Sequence, residues 1–368
     1  MLQRHQAPSA FHDARRILLV KQSSLGDVIH TLPLVHALKR CRPEVSIGWI
    51  VQEGYRGLLE GDKAVDTVYS IRIPSTSEPA AGRGVYFRAF TSTYRTWRQL
   101  RQQCVQKPYD VVLDLHASFR SALLALANPG GVRLGFEDAR ELNPWFMHYH
   151  VSNPKGCEHA LEKNLLFADV LNCPAIEEDF YIPVTEAAEL EAQHLLAGET
   201  GKNFSGFIYL HTTARWASKY WQINKWIALA KLLGSAGYVP LFGGSKNDLS
   251  YIQKICDQLP ADSWIVSAGK VSLLGTVALL KCCRAYIGLD SGPMHMAAMV
   301  GVPVVALFGP THPRRVGPYG VSSVIVRASG LDCLCCRQRS CSHSTCMRVI
   351  SAEQVFDALE VLLQKKRV

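Results

Sequence analysis

The sequence has no run of roughly 20 consecutive apolar residues, the length a membrane-spanning helix needs. Its N-terminal segment carries His5, His12, Asp13 and Arg15 but no apolar h-region, so no secretory signal is expected. Residues 1–14 read instead as a short disordered arm. A cytoplasmic chain is the expectation, with its twelve cysteines as reduced thiols. Acidic residues are missing from one long stretch, Pro79 to Tyr109. There Arg83, Arg88, Arg95, Arg98, Arg101 and Lys107 alternate with Tyr86, Phe87, Phe90, Tyr94 and Trp97. That pattern suits either a solvated helix face beside a loop or a flap facing an anion or a lipid surface.

What is present is a core-forming composition, 48% hydrophobic and 19% charged over 368 residues. The length fits two domains better than one. A formal net charge of +9 suits three partners: nucleic acid, an anionic membrane surface or a phosphorylated substrate.

Apolar β-type runs alternate with helical periodicity twice. The first series opens with a strand at Arg16–Val20, a polar turn, and a helix over Val28 to Lys39 in which Val28, Leu32, Val35 and Leu38 recur. Strands follow at Ser46–Val51 and Tyr109–Leu115. The second opens at Gly206–Leu210 and continues through strands at Val239–Phe242, Trp264–Ser267, Ala285–Gly288 and Val304–Phe308, with helices between. Such alternation predicts an α/β chain of two Rossmann-like, doubly wound parallel sheets. The expected domains are 15–185 and 203–350, joined by a polar linker at 186–202. An amphipathic helix at 351–368, with Val355, Phe356, Leu359 and Leu362 on one face, could cross back onto the first domain.

In this architecture ligands bind beyond the carboxyl ends of the strands. At the first such end stands Lys21-Gln22-Ser23-Ser24-Leu25-Gly26-Asp27-Val28-Ile29-His30-Thr31. Small residues, Ser24 and Gly26 among them, let backbone N–H groups approach a ligand, and the following helix start favours an anion. Asp27 is a candidate catalytic carboxylate or a plain N-cap. The segment lacks the ending of a Walker loop and the Gly-x-Gly-x-x-Gly of dinucleotide sites, against an NTPase or a dehydrogenase. The first strand of the second series ends in His211-Thr212-Thr213-Ala214-Arg215 and leads to Lys219. Two hydroxyls and a cation before a helix suit a diphosphate cradle, or Lys219 is a solvated surface charge. Asp290-Ser291-Gly292-Pro293-Met294-His295 again joins a strand to a helix, where Asp290 and Ser291 are either caps or ligands.

Together these segments resemble glycosyltransferase family 9, the ADP-heptose:lipopolysaccharide heptosyltransferases. The resemblance rests on Lys21 to Pro33, on Asp290-Ser291-Gly292 with His295, and on Phe308-Gly309-Pro310-Thr311. It implies a GT-B enzyme, two such domains facing across a cleft, with an acceptor-binding N-terminal domain and a donor-binding C-terminal one. It also implies inverting heptose transfer from ADP-heptose to the Kdo/heptose inner core with no catalytic metal, on the cytoplasmic face of the inner membrane. By similarity Asp27 is the general base, beside an acceptor held near Ser24 and Gly26. Lys219, Thr212 and Thr213 hold the phosphates, and Asp290, Ser291, Gly292 and His295 line the donor pocket. Asp248 is the nearest carboxylate for the ribose. Segments around Asp114–Ser121 and Arg133–Glu141 are similar to heptosyltransferase I. They make Arg120 and Arg140 candidates for the acidic groups of a Kdo-lipid A acceptor. Another nucleotide sugar or acceptor within the same family is the alternative.

Cys333, Cys336, Cys341 and Cys346 have the spacing of a zinc knuckle with Cys in place of its His, with Cys335 and His343 as spare donors. They close a structural zinc site, or they are packed thiols or a disulfide. An RNA-binding knuckle is disfavoured, because the cluster has no Gly and few aromatics; no nucleic-acid partner is expected.

Overall fold

The strand-forming runs of the sequence assemble into two six-stranded parallel sheets, each in its own unit of the chain. The computed structural model describes residue 11 and residues 13–74, 83–197 and 205–364. The units are Met1–Tyr181 and Ile182–Val368.

In the first unit the strands are β1 (Arg16–Val20), β2 (Ser46–Gln52), β3 (Thr67–Ile71), β4 (Val111–Asp114), β5 (Val132–Phe136) and β6 (Tyr149–Val151). Its helices are α1 (Leu25–Ile29), α2 (Leu32–Cys41), α3 (Arg56–Leu59), α4 (Arg83–Gln106), α5 (Phe119–Ala125) and α6 (Ala160–Val170). The sheet order is β3-β2-β1-β4-β5-β6. Ile17 to Val20 are fully buried, as a strand covered by helices on both faces must be. The helix expected over Val28 to Lys39 is two helices. Pro33 sits in the first turn of α2, where its missing N–H costs nothing, and the Thr31 hydroxyl donates to the Asp27 carbonyl at 2.8 Å.

The arm expected over residues 1–14 falls largely outside the described residues. Phe11 is described and is no free end: it is buried, edge-on to Tyr149, and its carbonyl accepts from Arg42 at 2.5 Å.

The second unit begins with α7 (Glu186–Leu196), where a linker was expected. Thr185 caps this helix, and Ala188, Ala192 and Leu196 bury their side chains. Then come β7 (Gly206–His211), α8 (Ile223–Ser235), β8 (Tyr238–Gly243), α9 (Leu249–Cys256), β9 (Ile265–Val266) and α10 (Leu273–Lys281). β10 (Cys283–Leu289), α11 (Gly292–Met299), β11 (Val304–Phe308), α12 (Pro313–Val316), β12 (Ser323–Arg327), α13 (Thr345–Arg348) and α14 (Ala352–Gln364) complete it. Helix α7 lies against α10, whose N-terminal Ser272 N–H donates to Glu191 Oε2 at 2.6 Å. The sheet order, β12-β11-β10-β7-β8-β9, repeats that of the first unit. The terminal helix α14 packs within its own unit, on α8, β10, β11 and β12. Its Val355, Leu359 and Leu362 share a core with Trp221 and Trp226.

Among the described residues no helix is long and apolar enough to cross a membrane. In both sheets the strand order reverses at one place, between β1 and β4 and between β7 and β10. Loops diverge there, so the carboxyl ends of those strands are where a ligand fits.

Candidate functional site

At the β1–β4 end of the first unit, the residue that follows β1 is Lys21. Its ammonium is nearly buried, donates to the Leu115 carbonyl at 2.7 Å, and lies 3.5 Å from Asp27 Oδ1. Asp27 is the third residue of α1 and closes a capping box: Ser24 N–H and Oγ–H both donate to its Oδ2 at 2.9 Å. One carboxylate oxygen is thus spent on holding the loop. The other faces Lys21 beyond hydrogen-bond length, and the side chain keeps 39% of its surface exposed. Burial acts to raise the Asp27 pKa. It is outweighed by the Lys21 charge, the two Ser24 hydrogen bonds and His116, so the carboxyl stays below its ordinary value.

His116 and Arg120 reach this place through Asp114, the last residue of β4. The Asp114 carboxylate is fully buried and accepts from the N–H of His116 (3.0 Å) and Ala117 (3.1 Å), from Ser121 Oγ (2.8 Å) and from Asn143 Nδ2 (2.7 Å). These bonds hold Ala117 in the left-handed region (φ 57°) and start α5 at Ser118. Burial, then the Lys21 charge, push the His116 imidazole down to about 4, with Asp27 opposing. It is neutral at pH 7. Arg120 is partly buried, which lowers its pKa, with Glu141 opposing. Ser24, Gly26, Asp27 and Arg120 therefore gather round one strand end, while Arg140 is exposed in the loop after β5. Lys21 and His116 carry no role in the sequence reading. Their signal is position alone, the first charged residue after β1 and the second residue after β4.

At the β7–β10 end of the second unit, Lys219 Nζ donates to Asp290 Oδ2 (2.7 Å) and to the Asp290 carbonyl (2.9 Å), and lies 4.7 Å from the Trp216 ring centre. The carboxylate of Asp290 thus goes to Lys219. The Ser291 hydroxyl goes to the Leu289 carbonyl at 3.2 Å, and no side chain caps α11. Of that first turn the Gly292 N–H remains for a ligand, since Pro293 has none and the Met294 N–H donates to the Ser291 carbonyl at 3.2 Å. His295 is buried on the same turn. Thr212 and Thr213 are buried at the end of β7. The buried polar atoms without a hydrogen-bond partner in the protein include His211 Nδ1, Thr212 Oγ1 and Thr311 Oγ1. His211 ends β7, Thr212 follows it, and Thr311 lies in the turn after β11. Such groups are costly unless something binds them. Asp248 Oδ2 accepts from Ser245 N–H (2.7 Å) and Oγ (2.6 Å), a second Ser-x-x-Asp box after β8. Gly243 is required there, because the Tyr209 hydroxyl occupies the space of a Cβ.

The cysteine loop brings Cys333, Cys336 and Cys341 near Cys346. Among the described residues no group of three or more His, Cys, Asp or Glu side chains is arranged to hold a metal ion, and every cysteine is a free thiol. The loop spends its backbone on neighbouring turns. Cys335 N–H donates to the Gly309 carbonyl (3.1 Å) and Arg337 N–H to the Pro310 carbonyl (2.8 Å). The Arg339 carbonyl accepts from Ser218 N–H (3.1 Å), and that of Gln338 from Ser218 Oγ (2.5 Å). Cys333 and Cys336 face solvent while Cys346 is buried, its thiol pKa raised by burial and by the three neighbouring cysteines. The loop braces Ser218, and with it the turn that carries Lys219.

Comparison with known proteins gives the family and the fold. Residues 97–346 match the family Glycosyltransferase family 9 (heptosyltransferase). Lipopolysaccharide heptosyltransferase 1 of Pseudomonas aeruginosa is 29% identical over 336 residues, covering 89% of this chain and 88% of the relative. The glycosyl transferase family 9 structure from Veillonella parvula superposes with a TM-score of 0.78 at 23% identity, covering 95% and 97% of the two chains. Escherichia coli heptosyltransferase WaaC with ADP-2-deoxy-2-fluoro heptose gives 0.67 at 25% identity, covering 94% and 99%.

Proposed function

The chain belongs to glycosyltransferase family 9, the heptosyltransferases, and from that premise we propose that it transfers heptose from ADP-heptose to the inner core of lipopolysaccharide, with Asp27 as general base. The observation that carries the mechanism is the state of Asp27. Its carboxylate is ionised, held in one place through Oδ2, and open at Oδ1. An acceptor hydroxyl donating to Oδ1 is aligned as its oxygen attacks the anomeric carbon. The new C–O bond forms as the bond to the diphosphate breaks, and Oδ1 takes the proton. Lys21 keeps the carboxylate charged until then.

Charge grows on the leaving diphosphate. Lys219 and the Gly292 N–H at the start of α11 are preorganised to meet it, and Thr212 and Thr311 have hydroxyls without partners to offer. Lys219 arrives paired with Asp290, which keeps it aimed at low cost until phosphate competes for it. Asp248 is the ribose candidate and Arg120 the acceptor's anion partner. On this reading the enzyme works in the cytoplasm, at the inner membrane, on a Kdo-lipid A acceptor.

The test is transfer by purified protein from ADP-heptose and a panel of other nucleotide sugars to acceptors of stepwise truncated core. Asp27→Asn lowers turnover by a factor on the order of 10²–10⁴ with donor binding kept. Wild-type-like turnover removes Asp27 from the mechanism, and preference for another donor removes the heptose.

A further inference from the structure

We propose that the outward face of α4 docks the protein onto an anionic phospholipid bilayer. This rests on the reading that the acceptor is a lipid-linked glycan, and it adds the surface that keeps enzyme and acceptor together.

Helix α4 has 24 residues and no acid among them. Its inner face is settled: Ala89, Thr93, Thr96, Leu100 and Cys104 are buried, and the Thr93 hydroxyl turns back to the Ala89 carbonyl at 2.7 Å. The outer face is unlike that of an ordinary surface helix. Phe87 is 71% exposed, Phe90 70% and Tyr94 56%. Spaced three and four apart, they form one line along the first turns. Exposed Arg88, Arg95 and Arg98 flank and extend that line. Large aromatics left in water on a well-packed helix mark an interaction surface.

The pairing of residue types identifies the partner. Aromatic rings suit the boundary between headgroups and acyl chains, and guanidinium groups suit the phosphates just above. Because the inner face of α4 is already packed, the helix need not be drawn into the bilayer; three ring tips enter and the arginines stay at headgroup level. Charge complementarity requires an anionic surface, since a zwitterionic one offers the arginines little. Helix α4 also packs against α5, which begins with half-exposed Phe119 and carries Arg120 of the Asp27 cluster. The docking face and the acceptor end of the unit are therefore on neighbouring helices.

Sedimentation of the full chain with phosphatidylcholine vesicles, with and without phosphatidylglycerol, reads docking directly and needs no transfer reaction. The wild type should sediment only with the anionic vesicles. Arg88→Gln/Arg95→Gln/Arg98→Gln should weaken this by about fivefold per charge, on the order of a hundredfold for three. Phe87→Ser/Phe90→Ser/Tyr94→Ser should abolish it at physiological salt. Both triple variants should keep wild-type circular dichroism and wild-type transfer to a delipidated, water-soluble acceptor, and lose transfer to vesicle-embedded acceptor. Variants that sediment like the wild type overturn the proposal. So does a wild type that ignores anionic vesicles, or one that is displaced from them by single-stranded RNA because its tighter ligand is nucleic acid. Loss of all transfer with docking intact would instead count against the heptosyl reading.

Discussion

Acid should weaken this fold through His211, and the size of the effect follows from its surroundings. The side chain is 7% exposed at the end of β7. Burial drives its pKa down to about 4, with Asp248 and a backbone hydrogen bond to Gly243 opposing. In the unfolded chain the same imidazole takes up its proton near 6.5. The unfolded state therefore binds more protons between those two values, and stability falls as pH drops through that window. The contribution is complete above pH 6.5. It is reduced by about 2 kcal/mol at pH 5 and about 3 kcal/mol at pH 4. Urea unfolding followed by tryptophan fluorescence at pH 7 and pH 5 measures the difference. His211→Asn should show a smaller loss between the two pH values by about 2 kcal/mol, whatever its stability at pH 7. His116, also near 4, is present in both proteins and cancels. Equal pH sensitivity of variant and wild type would refute the argument, because it would mean that His211 is protonated as readily in the fold as in the unfolded chain.

Lys219→Met should cost about 3–5 kcal/mol of stability by stranding the buried Asp290 carboxylate. The double variant Lys219→Met/Asp290→Asn should recover most of that in thermal unfolding while ADP affinity in calorimetry stays low. Recovery of both would make the pair purely structural. Gly243→Ala should destabilise by about 1–3 kcal/mol, because its methyl group meets the Tyr209 hydroxyl. Adding Tyr209→Phe should relieve part of this, and strict additivity in urea melts would contradict the contact.

Every central strand but β5 was legible from residue order, and of the four edge strands only β9 was. Arg16–Val20 and Val304–Phe308 are continuous apolar runs because both faces are covered, and each strand has the expected bounds. Thr67–Ile71 and Ser323–Arg327 lie at sheet edges, half-exposed and mixed in polarity, so no run announces them. Helix α7 passed for a linker because its buried stripe is mostly alanine. The break between α1 and α2 was hidden by a helical period that runs through it, although Pro33 marks the restart. Cysteine spacing leaves zinc, packed thiols and a disulfide open, because spacing counts residues and not the backbone bonds that tie residues 335–339 to Gly309, Pro310 and Ser218. His116 was missed for a related reason: β4 pairs with β1 across 94 residues, and only that pairing brings its loop to Asp27.

The two Ser-x-x-Asp boxes show why local pattern alone could not separate a cap from a base. Asp27 and Asp248 each accept the N–H and Oγ–H of a serine three residues earlier through one oxygen, and both stay partly exposed. As caps they are equivalent. What differs is the second oxygen and the strand beneath it. Asp27 follows β1 at the reversal of strand order, with the Lys21 ammonium beside it holding the carboxylate charged. Asp248 follows β8, one strand away from the reversal in its sheet, with uncharged His211 nearby. A carboxylate that must accept a proton needs a fixed position and a neighbour that keeps it ionised. One that only receives a ribose hydroxyl needs the position alone. Capping supplies the position in both units, and Lys21 supplies the remainder in the first.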